Sequence, residues 1–188
     1  MEPISAAIDG VEKFMGHSPH PAIVAVPLGA WTVSNICDGM ALISGDDKYD
    51  DTARISMAIG LIGAAGAVVT GLRDYSKIPK KRPSHRVATT HALGNSVVAS
   101  LFVTSYVMRT RTYAKGEPTS LAARLLAIAG GGLSIYTAWL GGKLVAEMGE
   151  SVKPVMDRLA QEEKNDGHET HGRERLESAS PMGKHADV

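Results

Sequence analysis

The sequence predicts an all-α integral membrane protein, an antiparallel four-helix bundle followed by a disordered C-terminal tail. Three observations lead there. Four apolar segments, residues 21–44, 52–75, 85–108 and 120–146, each have the length of a bilayer-spanning helix; a hydrocarbon core ~30 Å thick needs about 20 helical residues. The connections between them are short, which makes successive helices antiparallel neighbours. None of the four carries the charged stripe that a surface helix of a soluble bundle needs. In lipid the backbone must satisfy its own hydrogen bonds, so such stretches become helices.

Average properties conceal this. The 188 residues carry zero formal net charge and a mean hydropathy of −0.05, because apolar spans are averaged with two polar ends. Residues 1–19 form an N-terminal segment with Glu2, Asp9 and Glu12 and no apolar stretch of signal-peptide type. Residues 20–152 hold the spans, and 153–188 a short helix extension and the tail. The single Cys37 excludes an internal disulfide. Nothing suggests nucleic acid, since the basic run 77–86 reads as a membrane flank.

The first span carries Pro21, suited to a first helical turn, and Pro27, where a kink is expected. It also holds Asn35 and Asp38. The second is rich in small residues (Gly60, Gly63, Ala64, Gly66, Ala67 and Gly71), which let membrane helices approach closely. The third includes His91 and Asn95. The fourth includes Gly130, Gly131 and Gly132, then Gly141 and Gly142; mid-span, these read as packing residues and not as a phosphate loop. No cysteine pair offers a zinc site.

The loops are an acidic turn at 45–51, SKIPKKRPS at 76–84 and RTRTYAKGEPT at 109–119. The second holds Lys77, Lys80, Lys81 and Arg82, with Arg86 just beyond. Lysine and arginine excess marks the cytoplasm, so both termini are expected inside. Residues 152–164 are expected to extend the fourth helix. From Asn165 the chain has almost no apolar residues and cannot offset ordering entropy. His168 and His171 in this tail make a poor two-ligand metal site.

Charged and imidazole side chains at membrane depth are costly and therefore candidates for function. In an alternating bundle the starts of spans one and three face the same side as the end of span two. His17, His20, Arg73, Asp74, His85 and His91 then gather in one membrane half. A histidine can ligate iron with one nitrogen while the other meets a carboxylate such as Asp74. The alternative is an interfacial polar cluster: Arg73 paired with Asp74, His85 solvated, His91 bonded to a backbone carbonyl. Asp74 is expected to matter more than Asp50 or Asp51, which read as exposed loop aspartates.

The run His20-Pro21-Ala22-Ile23-Val24-Ala25-Val26-Pro27-Leu28 resembles the opening motif of the bacterial membrane family called domain of unknown function 2231. Gly71-Leu72-Arg73-Asp74-Tyr75, His91-Ala92-Leu93-Gly94-Asn95 and Leu140-Gly141-Gly142-Lys143-Leu144-Val145, with Gly149 and Val152, resemble three further blocks, in order. The family's second histidine falls at Ala25 and its phenylalanine at Val26. The resemblance implies a four-helix membrane protein, found in some relatives beside iron–sulfur domains, and no established activity.

Three function classes remain. One is a redox subunit in the bacterial cytoplasmic membrane, with His20 and His91 clamping a haem b for which Gly29, Gly94 and the fourth-span glycines make room, serving an iron–sulfur or other redox partner protein. The second is a non-catalytic scaffold, with Arg73, Asp74, Asn95 and Asp38 as polar cluster residues that glue helices. The third is a transporter lined by Asn35, Asp38 and His91, which four helices without paired broken repeats serve poorly.

Overall fold

Each apolar segment is a helix. A computed structural model describes residues 2–152, 155–162, 164 and 165. Its helices are α1 (Glu2–Met15), α2 (His20–Ser44), α3 (Asp47–Ser76), α4 (Pro83–Tyr113) and α5 (Leu121–Ala146), and residues 155–162 are helical as well. No strand occurs among the described residues. The four helices α2 to α5 are each long and apolar enough to cross a membrane. The expected disordered tail, with His168 and His171, lies outside the described residues.

Local chemistry moves several boundaries. The acidic turn shrinks to Gly45 and Asp46. Gly45 ends α2 at φ 67°, a left-handed conformation that glycine adopts without penalty. Asp46 then caps α3, accepting the Lys48 amide at 3.0 Å, and Asp47 and Asp50 fill the first turn, where carboxylates oppose the helix dipole. So α3 begins five residues before its apolar stretch. Ser120 caps α5 through the Ala123 amide. Pro27 sits inside α2, which continues through it.

The polar N-terminal segment holds a helix of 14 residues, α1. One expectation needs correction. The 155–162 helix was expected to continue the fourth span, but the chain breaks first. Gly149 has φ 68° and Ser151 φ 65°, and a Cβ on Gly149 would overlap Val155.

The closest helix pairs are α2 with α3 and α4 with α5; α3–α4 and α2–α5 contacts join them. Along the first pair residue numbers rise on one helix as they fall on the other. Ser34 donates to the Ala53 carbonyl at 2.9 Å. The Trp31 indole covers Gly60, and Cβ atoms built on Gly63 and Gly71 would lie 2.7 Å from Val26 Cγ1 and 2.8 Å from His20 Cε1. The small-residue face of α3 is therefore a row of seats for α2 side chains. At the centre Trp31 stacks on Phe102, centroids 4.1 Å apart, with Met57, Val98 and Ala127 around them. Ser105 donates to the Ala123 carbonyl at 2.6 Å, tying α4 to α5. Outward faces stay apolar: Ile43 is 90 % exposed and Ile62 75 %, as a lipid-facing surface requires.

Candidate functional site

Polar side chains collect at two ends of the helices. The near end holds the starts of α2 and α4 and the ends of α3 and α5. The far end holds their opposite termini.

At the near end, Asp74 accepts from Ser18 Oγ at 2.5 Å and from Ser151 Oγ at 3.3 Å. The expected Arg73–Asp74 pairing is long, at 4.0 Å. Arg73 turns instead to α1, bonding Asp9 and Glu12, and Lys77 Nζ joins Glu12 at 2.9 Å. The reason is geometric: consecutive residues on a helix point to different faces. Glu150, 4 % exposed, accepts from Ser84 Oγ at 2.6 Å and lies 3.4 Å from Arg82. His85 is not simply solvated; its ring lies against Tyr75, centroids 4.9 Å apart.

His20 meets Thr70 Oγ1 through Nδ1 at 3.1 Å. His91 meets the Thr137 carbonyl through Nδ1 at 2.8 Å. A carbonyl only accepts, so Nδ1 carries the proton and Nε2 is left to accept from Asn95 Nδ2 at 3.2 Å. Asn95 Oδ1 in turn accepts from Thr137 Oγ1 at 3.1 Å. His91, Asn95 and Thr137 thus form a closed loop of bonds between α4 and α5.

At the far end Asp38 is almost wholly buried, at 1 % exposed. Arg109 bonds both of its carboxylate oxygens, one at 2.7 Å. Arg124 reaches Asp38 Oδ1 at 3.1 Å and its backbone carbonyl at 3.0 Å. The other terminal nitrogen of Arg124 bonds Asp50 Oδ1 at 2.6 Å, and Asp50 also accepts the Thr119 amide at 3.3 Å. Two carboxylates and two guanidiniums balance, with hydrogen bonds spreading the charge, as buried ions require.

The structure therefore divides the expected polar cluster. Arg73 and Asp74 lie at the near end, Asn95 sits deeper with His91, and Asp38 belongs to the far end. Asp50 is no idle loop aspartate. Sequence reasoning passed over Arg109, Arg124, Thr137 and Glu150. Arg124 carried a usable signal, being a charge inside an apolar span; Arg109 lay at a span edge and read as loop.

Side chains occupy several of the glycine seats. The space over Gly71 is taken by His20 and that over Gly141 by His91, whose Cε1 would lie 3.0 Å from a Cβ there. A Cβ on Gly94 would lie 2.6 Å from Thr137 Cγ2, and one on Gly130 2.9 Å from Phe102. Gly29 faces outward with nothing within 4 Å. A far-end cavity of about 360 Å³ is lined by Asp46, Asp47, Asp50 and Arg124; a near-end one of about 200 Å³ is lined by Glu12, His17, Asp74 and Glu150. Neither is lined by His20 or His91. His20 and His91 each commit Nδ1 to a partner, Thr70 Oγ1 and the Thr137 carbonyl.

No curated protein and no solved structure matches the chain. A family model described as "Predicted membrane protein (DUF2231)" matches residues 16–154, from the turn before α2 to just past Val152. Four apolar membrane-crossing helices and that match together place the chain in the DUF2231 family of membrane proteins.

Proposed function

We propose that the protein is a non-catalytic membrane subunit. It is an antiparallel four-helix bundle in the bacterial cytoplasmic membrane, with both termini inside, and it holds a partner protein there. One observation carries this reading: the polar side chains at membrane depth are engaged in joining helices. Asp38 ties α2 to α4 and α5 through Arg109 and Arg124. His91 and Asn95 tie α4 to α5 through Thr137. Such side chains act as glue, worth about 1 kcal/mol for each interhelical hydrogen bond in a membrane. The partner favoured by the family's association with iron–sulfur domains is a redox protein, by analogy alone.

Purification in mild detergent from haem-replete cells tests the reading. The scaffold is colourless, binds no iron and brings a stoichiometric partner with it. A Soret band with bound iron, lost in His91→Ala, overturns it in favour of a haem b subunit ligated by His20 and His91.

A further inference from the structure

The amphipathic helix α1 has one face spoken for and one face bare. Asp9 and Glu12, three residues apart and so on one side, bond Arg73 and Lys77 at the end of α3. The apolar residues Ala7, Ile8, Val11, Phe14 and Met15 recur at helical spacing on the other side. Phe14 is 92 % exposed and Val11 45 %. A phenylalanine bared to this degree on a regular helix needs an apolar medium.

Its depth says which. Arg73 lies three residues before the last residue of α3, at the end that leads into the 77–82 loop. The C-terminal end of α1 is pinned to the same level, because Ser18, two residues past Gly16, donates to Asp74. On the face of α3 beside Arg73, Leu72 is 60 % and Val69 45 % exposed, part of the lipid-facing surface. The bare stripe of α1 thus continues that surface at the boundary between headgroups and acyl chains. Its acidic side does not oppose a negatively charged leaflet, since Arg73 and Lys77 neutralise Asp9 and Glu12.

We infer that α1 is an interfacial anchor, lying in the membrane plane with Phe14, Val11 and Met15 dipped into the acyl boundary and Asp9 and Glu12 bracketed to α3. This is the geometry of amphipathic helices that lie on a bilayer, their apolar face buried ~5–10 Å. The anchor fixes the start of α2 and the Ser18–Asp74 bond against the bundle.

Full-length Phe14→Cys and Lys13→Cys proteins, spin-labelled and reconstituted in vesicles of phosphatidylcholine and phosphatidylglycerol, test this. The native Cys37 is buried, and unsubstituted protein serves as the labelling blank. Both substituted side chains are exposed, so folding is not at stake. The label at 14 should collide more with dissolved oxygen than with a water-soluble nickel chelate, and the label at 13 should show the reverse. Equal nickel access at both positions would mean that α1 stands in water and would overturn the inference. Shielding of position 14 from both reagents would mean that a protein or a second copy covers the stripe, and would overturn it too.

Discussion

Arg109 lays its two terminal nitrogens on the two carboxylate oxygens of Asp38, across 71 positions of sequence. Both side chains are buried, at 0 % and 2 % exposed. The pair joins α4 to α2, which is not one of the closest helix pairs, so a long guanidinium does the bridging. Arg109 Nε also donates to Ser105 at 3.2 Å, and Ser105 ties to α5. One carboxylate thereby couples three helices.

Removing that carboxylate strands the buried Arg109 and leaves Arg124 with Asp50 alone. Asp38→Ala should cost roughly 3–5 kcal/mol, the range for breaking a buried ion pair, read as a large fall in melting temperature in detergent. A double variant, Asp38→Leu with Arg109→Met, should recover part of the loss, because replacing a buried pair with apolar side chains is often near neutral. A double variant no more stable than Asp38→Ala would contradict the assignment.

The glycine seats give a graded test. Gly63→Leu and Gly141→Leu drive side chains into Val26 and the His91 ring. Overpacking of this kind costs about 1–3 kcal/mol or more. Gly132→Ala, with open space around it, and Val68→Leu, at 55 % exposed, should leave thermal stability nearly unchanged. Equal losses in all four variants would disprove the packing argument.

His91 should be a single tautomer. Its Nδ1 donates to the Thr137 carbonyl, and its Nε2 accepts from Asn95. Nitrogen-15 spectra of histidine-labelled protein should show Nδ1 protonated and Nε2 bare for this ring. Asn95→Leu should shift the Nε2 resonance and leave Nδ1 in place. A proton on Nε2 would refute the loop.

At the far end Asp46 supplies a pH-dependent cap. The Lys48 ammonium, then the Lys48 amide, hold its carboxyl below the ordinary value. A depressed folded value means stability that is present above the ordinary carboxylate range and lost as pH falls through the folded value. Wild type should therefore exceed Asp46→Ala in stability at neutral pH, with the gap closing below about pH 4. A gap that does not change with pH would count against the cap.

Membrane topology can be read with single cysteines at Lys80 and Asp47. These exposed positions lie at opposite ends of α3 and its following loop. Label added from the cytoplasmic side should reach position 80 and not 47. Equal labelling of both from that side would refute the proposed orientation.

The four spans were legible in the sequence because hydropathy is a property of each residue, summed over a local window. Connectivity alone placed His20, Arg73, Asp74, His85 and His91 toward one end. The small residues of the second span announced close packing. Tertiary structure alone decided which bulky side chain each glycine receives, as Gly60 receives Trp31 and Gly141 receives His91. It also decided the partner of each charge. Arg73 chooses Asp9 and Glu12 over its neighbour Asp74, and Asp38 chooses Arg109 and Arg124 from 71 and 86 positions away. Those choices depend on how far each helix is turned about its own axis and on the register between helices. Both are set by steric fit across the interfaces, a quantity that no single segment of the chain contains.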